Sequence, residues 1–264
     1  MAKIFLLGKQ KQNTGVLVLN GNFVKVLNFQ KALNMIARLD GANKIYEMGD
    51  QQIVALDKTT LEVNDGELLL IIGPSGSGKT TLLSLIGCLI NPTEGRLEVE
   101  GRDVSHLSEK EMANIRLNTI GFVFQQFNLL APLTAEENVA WPLKMQKRPA
   151  TEISQRTEDA LKKVQMTDRR RSLPKQLSGG QQQRIAIARA LVTDPKLILC
   201  DEPTASLDRD SVEIVMEELQ QLARGGKSVA VVTHDQRLYQ YADRAVEVKN
   251  GQVTPLNLDE AQAH

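Results

Sequence analysis

Gly73-Pro74-Ser75-Gly76-Ser77-Gly78-Lys79-Thr80, continued by Thr81, fits the phosphate-binding pattern G-x-x-x-x-G-K-[ST] at every fixed position. The chemistry of an anion explains the residue types. Glycines let the backbone turn its N–H groups inward, and a helix starting at the end of the loop adds partial positive charge. Lys79 is then placed to reach the β- and γ-phosphates of a nucleotide, and the Thr80 hydroxyl to ligate Mg2+. The motif requires a strand before it and a helix after it. Leu68–Ile72 supplies an apolar run on one side, and Thr80–Ile90 a helical pattern on the other.

Leu199-Cys200-Asp201-Glu202 ends a second apolar run with paired carboxylates. An aspartate at a strand tip beside a phosphate loop holds Mg2+ through water, and the adjacent Glu202 can act as general base on an attacking water. Taken alone, the pair reads equally well as a solvated turn before Pro203; the phosphate loop elsewhere in the chain favours the metal reading. Leu177-Ser178-Gly179-Gly180-Gln181 opens onto a helical stretch, Gln182–Leu191, and so makes a second helix N-terminus able to hold an anion. One nucleotide needs one phosphate cradle. Two cradles of different construction point to nucleotide clamped between two copies, each giving one.

These groups need rigid elements to hold them. Leu68–Ile72, Leu197–Cys200, Val229–Thr233 and Ala245–Val248 are apolar on both faces, as strands of a covered parallel sheet are. Between them lie helical stretches: Thr80–Ile90 carries Leu82, Leu83, Ile86 and Ile90 on one face, and Val212–Arg224 ends at Gly225-Gly226. Strand and helix in alternation imply an α/β core. From about Gln126 to Lys175 the strand signals vanish. There Thr134-Ala135-Glu136-Glu137 forms a capping box, Pro142 is expected to kink or end that helix, and Thr151–Val164 reads as another. This middle piece is expected to be a helical subdomain inserted in the core. Gly95–Gly101 alternates like a strand ending in a glycine turn. In residues 1–34, Val16–Leu19 and Phe23–Leu27 suggest a hairpin around Asn20-Gly21 and carry no chemistry.

The chain has 264 residues, 42% hydrophobic and 24% charged, with a formal net charge of +0. That balance gives no reason to expect a nucleic-acid partner. Cys88 and Cys200 lack metal-ligand spacing and read as buried apolar residues in a reducing compartment. No apolar run approaches the roughly 18–20 residues of a membrane-spanning helix, and Ile4–Leu7 is too short for a signal-peptide core. The expectation is a cytoplasmic protein that meets a membrane through a partner. His106 and His264 read as surface residues, Arg169-Arg170-Arg171 as a solvated face, and Trp141 as either core or partner contact.

With these motifs in order, the chain resembles the ABC ATPase family from about residue 35 to 252. Gly73–Thr80 resembles its Walker A motif, Leu177–Gln181 its signature, and Leu197–Glu202 its Walker B strand. Gln125, in Phe122-Val123-Phe124-Gln125, matches the Q-loop glutamine, which the resemblance implies contacts Mg2+ and the attacking water. Ser206-Leu207-Asp208 matches the D-loop, with Asp208 implied at the nucleotide, and His234 matches the switch histidine that senses the γ-phosphate. Tyr46 stands where the family places an aromatic on adenine, although by itself it could be a core aromatic. The implied fold is α/β, the P-loop NTPase ABC-type fold: a mainly parallel sheet core, an N-terminal antiparallel β subdomain and an inserted helical subdomain at about 126–176. Residues 1–34 would be a dispensable extension of unclear role, and 253–264 a C-terminal tail. ATP and Mg2+ are the implied ligands, with a homodimer on ATP binding, integral membrane permease subunits as partners and no nucleic acid. The location implied is the inner face of the plasma membrane, held there by the permease.

The stretch Ile120–Leu130, followed by Leu133-Thr134-Ala135-Glu136-Glu137-Asn138-Val139, is similar to exporter ATPases of the MacB, LolD and DevA type. Where MacB and LolD read Gly-Asn before the D-loop Leu-Asp, this chain has Thr204-Ala205-Ser206-Leu207-Asp208, which favours the DevA-like side. Two other readings fit the same motifs: an FtsE-like ATPase signalling to a membrane partner without transport, and a soluble ABC ATPase acting on nucleic acid or ribosomes. A single cassette without heptads or zinc spacing argues against the second.

Overall fold

Leu68–Ile72 (β6) is apolar at every position because both faces of its strand are covered. Leu68, Leu70 and Ile72 enter one hydrophobic cluster, whereas Leu69 and Ile71 enter another on the opposite face. The same two-residue period sorts the neighbouring strands. In Leu197–Asp201 (β10), Ile198 and Cys200 face the first cluster, and Leu197 and Leu199 the second. In Ser228–Thr233 (β11), Val229 and Val231 face the first, and Ala230 and Val232 the second. Truncating one such leucine, Leu70→Ala for example, costs about 2–5 kcal/mol in a core of this kind.

The computed structural model describes residues 3–5, 15–19, 22–27, 35–205, 207 and 209–261. The Asn20-Gly21 turn, Ser206, Asp208 and His264 therefore lie outside the described residues. The chain divides into two compact units, residues 1–35 and 36–264. In the first, Lys3–Phe5 (β1), Gly15–Leu19 (β2) and Asn22–Leu27 (β3) form an antiparallel sheet in the order β1-β2-β3.

The second unit holds two sheets. Met35–Met48 (β4) and Gln51–Asn64 (β5) are neighbours in a four-stranded sheet of order β5-β4-β7-β8, completed by Glu94–Val99 (β7) and Arg102–Asp103 (β8). The six-stranded sheet runs β13-β12-β6-β11-β10-β9, with Ile120–Val123 (β9), Arg244–Lys249 (β12) and Gln252–Leu256 (β13). All its pairings are parallel except β12 with β13. The segment expected as a tail from residue 253 thus contributes an edge strand, followed by a short helix, Leu258–Ala261.

Helices cover both faces, as an all-buried parallel sheet requires. Lys79–Ile86 (α1) buries Leu82, Leu83, Leu85 and Ile86 against the second cluster. Glu109–Thr119 (α2) adds Met112 there. Ala135–Met145 (α3), Ala150–Lys163 (α4), Gly179–Leu191 (α5) and Arg209–Arg224 (α6) contribute to the first. The sequence places α1 through Ile90, but it stops at Ile86. A Cβ on Gly87 would lie 2.2 Å from Phe122 Cζ, and Cys88 takes φ +53, so the chain turns away where Phe122 packs. Pro142 lies inside α3 and does not end it. The buried Asn138, Val139 and Leu143 hold the helix across the missing hydrogen bond. The Thr134–Glu137 capping box forms as expected. Arg170 is no solvated bystander, because its guanidinium binds Glu136 and its carbonyl accepts from Glu136 N, pinning this loop to α3.

Candidate functional site

Four connections leave the carboxyl ends of β6, β9, β10 and β11, and each carries a residue singled out above. In parallel sheets this edge is where ligands bind. The loop after β6 is shaped by close approach. A Cβ on Gly73 would stand 2.1 Å from Val248 O, and one on Gly78 would stand 2.4 Å from Ala55 O. Both residues also have positive φ, +150° and +111°. Only glycine fits there. The loop is tied to the β12–β13 turn by Gly251 N donating to Ser77 O at 2.8 Å, and that turn is tied to β5 by Asp57 N donating to Gly251 O at 2.8 Å.

No side chain caps the N-terminus of α1 at Gly78, so its first N–H groups and partial positive charge face the loop. Lys79 is buried, with Nζ donating to Gly73 O at 2.8 Å and Pro74 O at 2.9 Å. The ammonium is thereby fixed inside the curve of the loop. A cavity of ≈ 400 Å³ opens here, lined by Gly76, Ser77, Gly78, Lys79, Thr80 and Thr81 with Ile53, Val54, Ala55, Asn250 and Gly251. Ile53 and Val54, 45% and 52% exposed, are apolar surface beside an anion cradle. Neither they nor Asn250 stand out in the sequence, because nothing local shows that β5 and the β12–β13 turn come to lie beside the loop.

At the tip of β10, burial pushes the Asp201 pKa up, the like charge of Glu202 adds to this, and Lys79 opposes it. The carboxylate therefore lies within the field of the loop lysine. Glu202 occupies the left-handed region at φ +48, held by its N–H donating to Val232 O at 2.9 Å. Its Oε1 stands 2.8 Å from Nδ1 of His234, which follows β11. The carboxylate is mostly buried and the imidazole exposed. The fold thus brings Lys79, Asp201, Glu202 and His234 to one edge. Gln125 is exposed just beyond β9. Tyr46 is 40% exposed and holds Lys44 Nζ 5.3 Å from its ring centroid, so it is not a core aromatic, and it does not line the ≈ 400 Å³ cavity.

Ser178 caps α5: its Oγ accepts from Gln181 N at 3.3 Å, and its N–H donates to Gln181 Oε1 at 3.0 Å. Ser178 is exposed at this helix start, and Gly179 and Gly180 are half-buried. Among the described residues, no hydrogen bond or ion pair joins Ser178–Gln181 to the phosphate loop. His106 is exposed, Cys88 and Cys200 are buried, and Trp141 is 42% exposed.

A phosphate loop, a strand-end carboxylate pair and a capped Ser-Gly-Gly helix start occur together on this sheet, and residues 56–205 match the ABC transporter family model. The chain belongs to the ABC transporter ATP-binding family. The cassette is an ATPase. It is 42% identical over 218 residues to the uncharacterized ABC transporter ATP-binding protein YknY of Bacillus subtilis, across 83% of this chain and 95% of that one. It is 44% identical to the macrolide export ATP-binding/permease protein MacB of Brucella abortus, across 83% of the cassette but 34% of MacB. Among solved structures, a dimeric post-hydrolysis state of the ATP-binding cassette MJ0796 bound to ADP and Pi superposes with TM-score 0.78. That match is 42% identical and covers 84% of this chain and 99% of that one. The cassette fold with its antiparallel and mainly parallel sheets is thereby borne out.

Proposed function

We propose that this cassette works as a homodimer that closes on two ATP molecules and drives an exporter through integral membrane permease subunits. One observation carries the reading: the chain bears two helix starts suited to anions, and among the described residues no hydrogen bond or ion pair links the signature at Ser178–Gln181 to the phosphate loop of its own protomer. Two copies arranged head to tail would let each signature cover the other's loop. In that assembly Lys79 and the loop N–H groups grip the β- and γ-phosphates, and Ser178 with Gly179 and Gly180 closes over the γ-phosphate from the partner. Asp208 and Gln181 are assigned to the same interface. Thr80, Asp201 and Gln125 offer oxygen donors of the kind Mg2+ prefers, and the bound ion would neutralise phosphate charge. Asp201's raised pKa suits this, since a cation beside it favours the ionised form.

Glu202 acts as general base on the water attacking the γ-phosphate, and His234, already bonded to it, orients the carboxylate. Tyr46, with Ile53 and Val54 beside the cavity, is assigned to the adenine side. Export is supported by the likeness to MacB, in which a cassette and a permease share one chain. The permease reading also accounts for an apolar concavity of ≈ 950 Å³ lined by Leu89, Phe122, Phe124 and Met145, away from the loop. Leu89 and Met145 there are 37% and 56% exposed, apolar side chains that a partner could cover. No helix of the described residues is long and apolar enough to cross a membrane, so contact with the bilayer would come through that partner.

The test mixes two inactive variants. Ser178→Arg blocks one half of each composite site and Lys79→Ala the other. Mixed together, they should regain part of the wild-type turnover, because one of the two sites in a mixed dimer is intact. Mixtures that stay as inactive as either variant alone would overturn the head-to-tail arrangement.

A further inference from the structure

The backbone after Gln125 makes a tight reversal. Phe127 N donates to Phe124 O at 3.0 Å, and Asn128 N to Gln126 O at 2.6 Å. Phe127 and Asn128 both sit in the left-handed region, at φ +58 and +48. Two successive non-glycine residues there are unfavourable, and such a conformation persists only where its surroundings hold it. The hold comes from Arg189. One terminal nitrogen of its guanidinium donates to Asn128 O at 2.6 Å and the other to Phe127 O at 2.7 Å. The planar fork suits two adjacent carbonyls in a way a single ammonium cannot.

Arg189 belongs to the last turn of α5, the helix whose first turn is the signature. Ser178 and Arg189 are eleven residues apart, about 16 Å along a helix axis. A single rigid rod therefore carries the partner-facing serine at one end and grips the backbone beside Gln125 at the other. Arg189 and Asn128 also line the apolar concavity together with Phe124 and Met145.

We infer that Arg189 is a positioning residue: it ties the turn beside Gln125 to the signature helix and so sets the place of Gln125. The inference rests on the reading of Gln125 as the residue at Mg2+ and the attacking water. Arg189 touches no phosphate-loop residue among its hydrogen bonds, so its loss acts on turnover and leaves nucleotide affinity alone.

Steady-state ATPase kinetics of the full chain decide the matter, using Arg189→Ala, Arg189→Lys, Gln125→Ala and both double variants. Arg189→Ala should lower kcat on the order of tenfold with KM for ATP within about twofold. Arg189→Lys keeps the stem and charge but not the fork, and should fall between it and wild type. In the Gln125→Ala background neither change at Arg189 should lower kcat further. Losses that multiply across the cycle, or Arg189→Lys turning over at the wild-type rate, overturn the inference. If Arg189→Ala melts below the assay temperature, the Lys variant carries the same cycle and the same outcomes decide. Full turnover in Gln125→Ala removes the Gln125 reading and this inference with it. A large Gln125 effect combined with independent Arg189 losses removes the inference alone.

Discussion

The two anion-binding turns of this cassette are built to different rules. In the loop at Gly73–Thr80, Gly73 and Gly78 answer to the protomer itself: Val248 O and Ala55 O stand where their Cβ atoms would go, and the backbone takes positive φ. In the signature the glycines lie within α5, and a Cβ on Gly180 would meet Ser211 Oγ at 3.4 Å, with Ser211 Cβ and Leu207 Cδ2 at 3.9 Å, all ordinary contacts. Among the described residues, nothing demands glycine at position 180. Small residues there make sense if something from outside comes close. One turn is a finished cradle, and the other, in the dimer proposed above, is half of one that a second copy completes.

The sharpest way to break this contrast is to add the same methyl group to each turn. Gly78→Ala should abolish nucleotide binding, measured by calorimetry, and lower stability by more than about 2 kcal/mol, since steric conflict and backbone strain add. Glu202→Gln leaves both turns intact and removes only the base, so kcat should fall on the order of 10²–10⁴-fold while ATP still binds and closed dimers accumulate in gel filtration. A variant at wild-type turnover would take Glu202 out of the base role. Gly180→Ala should fold as well as wild type, or better by about 0.5–1 kcal/mol because alanine favours a helix. It should nevertheless lose turnover on the order of tenfold or more, as misplaced reactants do. If Gly180→Ala keeps its activity, the two turns are not the two halves proposed.

The smallest expected effect is a pH-dependent gain in stability. Burial raises the Asp201 pKa above its unfolded value, so the ionised carboxylate is less favourable in the folded chain. The stability this group contributes is present in acid and is lost as pH rises through the raised pKa. Asp201→Asn removes that penalty at neutral pH. Its Tm should rise slightly at pH 7, with no gain at pH 3, while Mg2+-dependent turnover is lost. A lower Tm at pH 7 would mean the carboxylate makes contacts that outweigh its desolvation.

Much of this was legible in the chain because apolar runs buried on both faces leave little ambiguity. Leu68–Ile72, Leu197–Cys200, Val229–Thr233 and Ala245–Val248 are strands within one residue of their expected ends. The capping box at Thr134 was set by side chains three residues apart, so local order sufficed, whereas the helix expected from Gln182 begins at Gly179, where Ser178 and Gln181 form another capping box. The misses depend on distant neighbours. Where α1 stops is decided by Phe122 packing against Gly87 from another strand. β5 lies at a sheet edge, with four exposed residues at its start, and its polar sequence shows no clean alternation. Ile53 and Val54 gain meaning only because the loop after β6 comes to lie beside them. Arg189 and Asn128 are 61 positions apart, and no spacing rule connects a helix-end arginine to two carbonyls in a turn.

The positive φ of Glu202 sets a trap for anyone seeking a sturdier protein. Glycine or asparagine would relax that backbone at once. A library selected purely for heat resistance should therefore drift toward Gly or Asn at position 202, yielding robust proteins that grip ATP and scarcely hydrolyse it. Retaining glutamate at this position takes selection on turnover as well as on endurance.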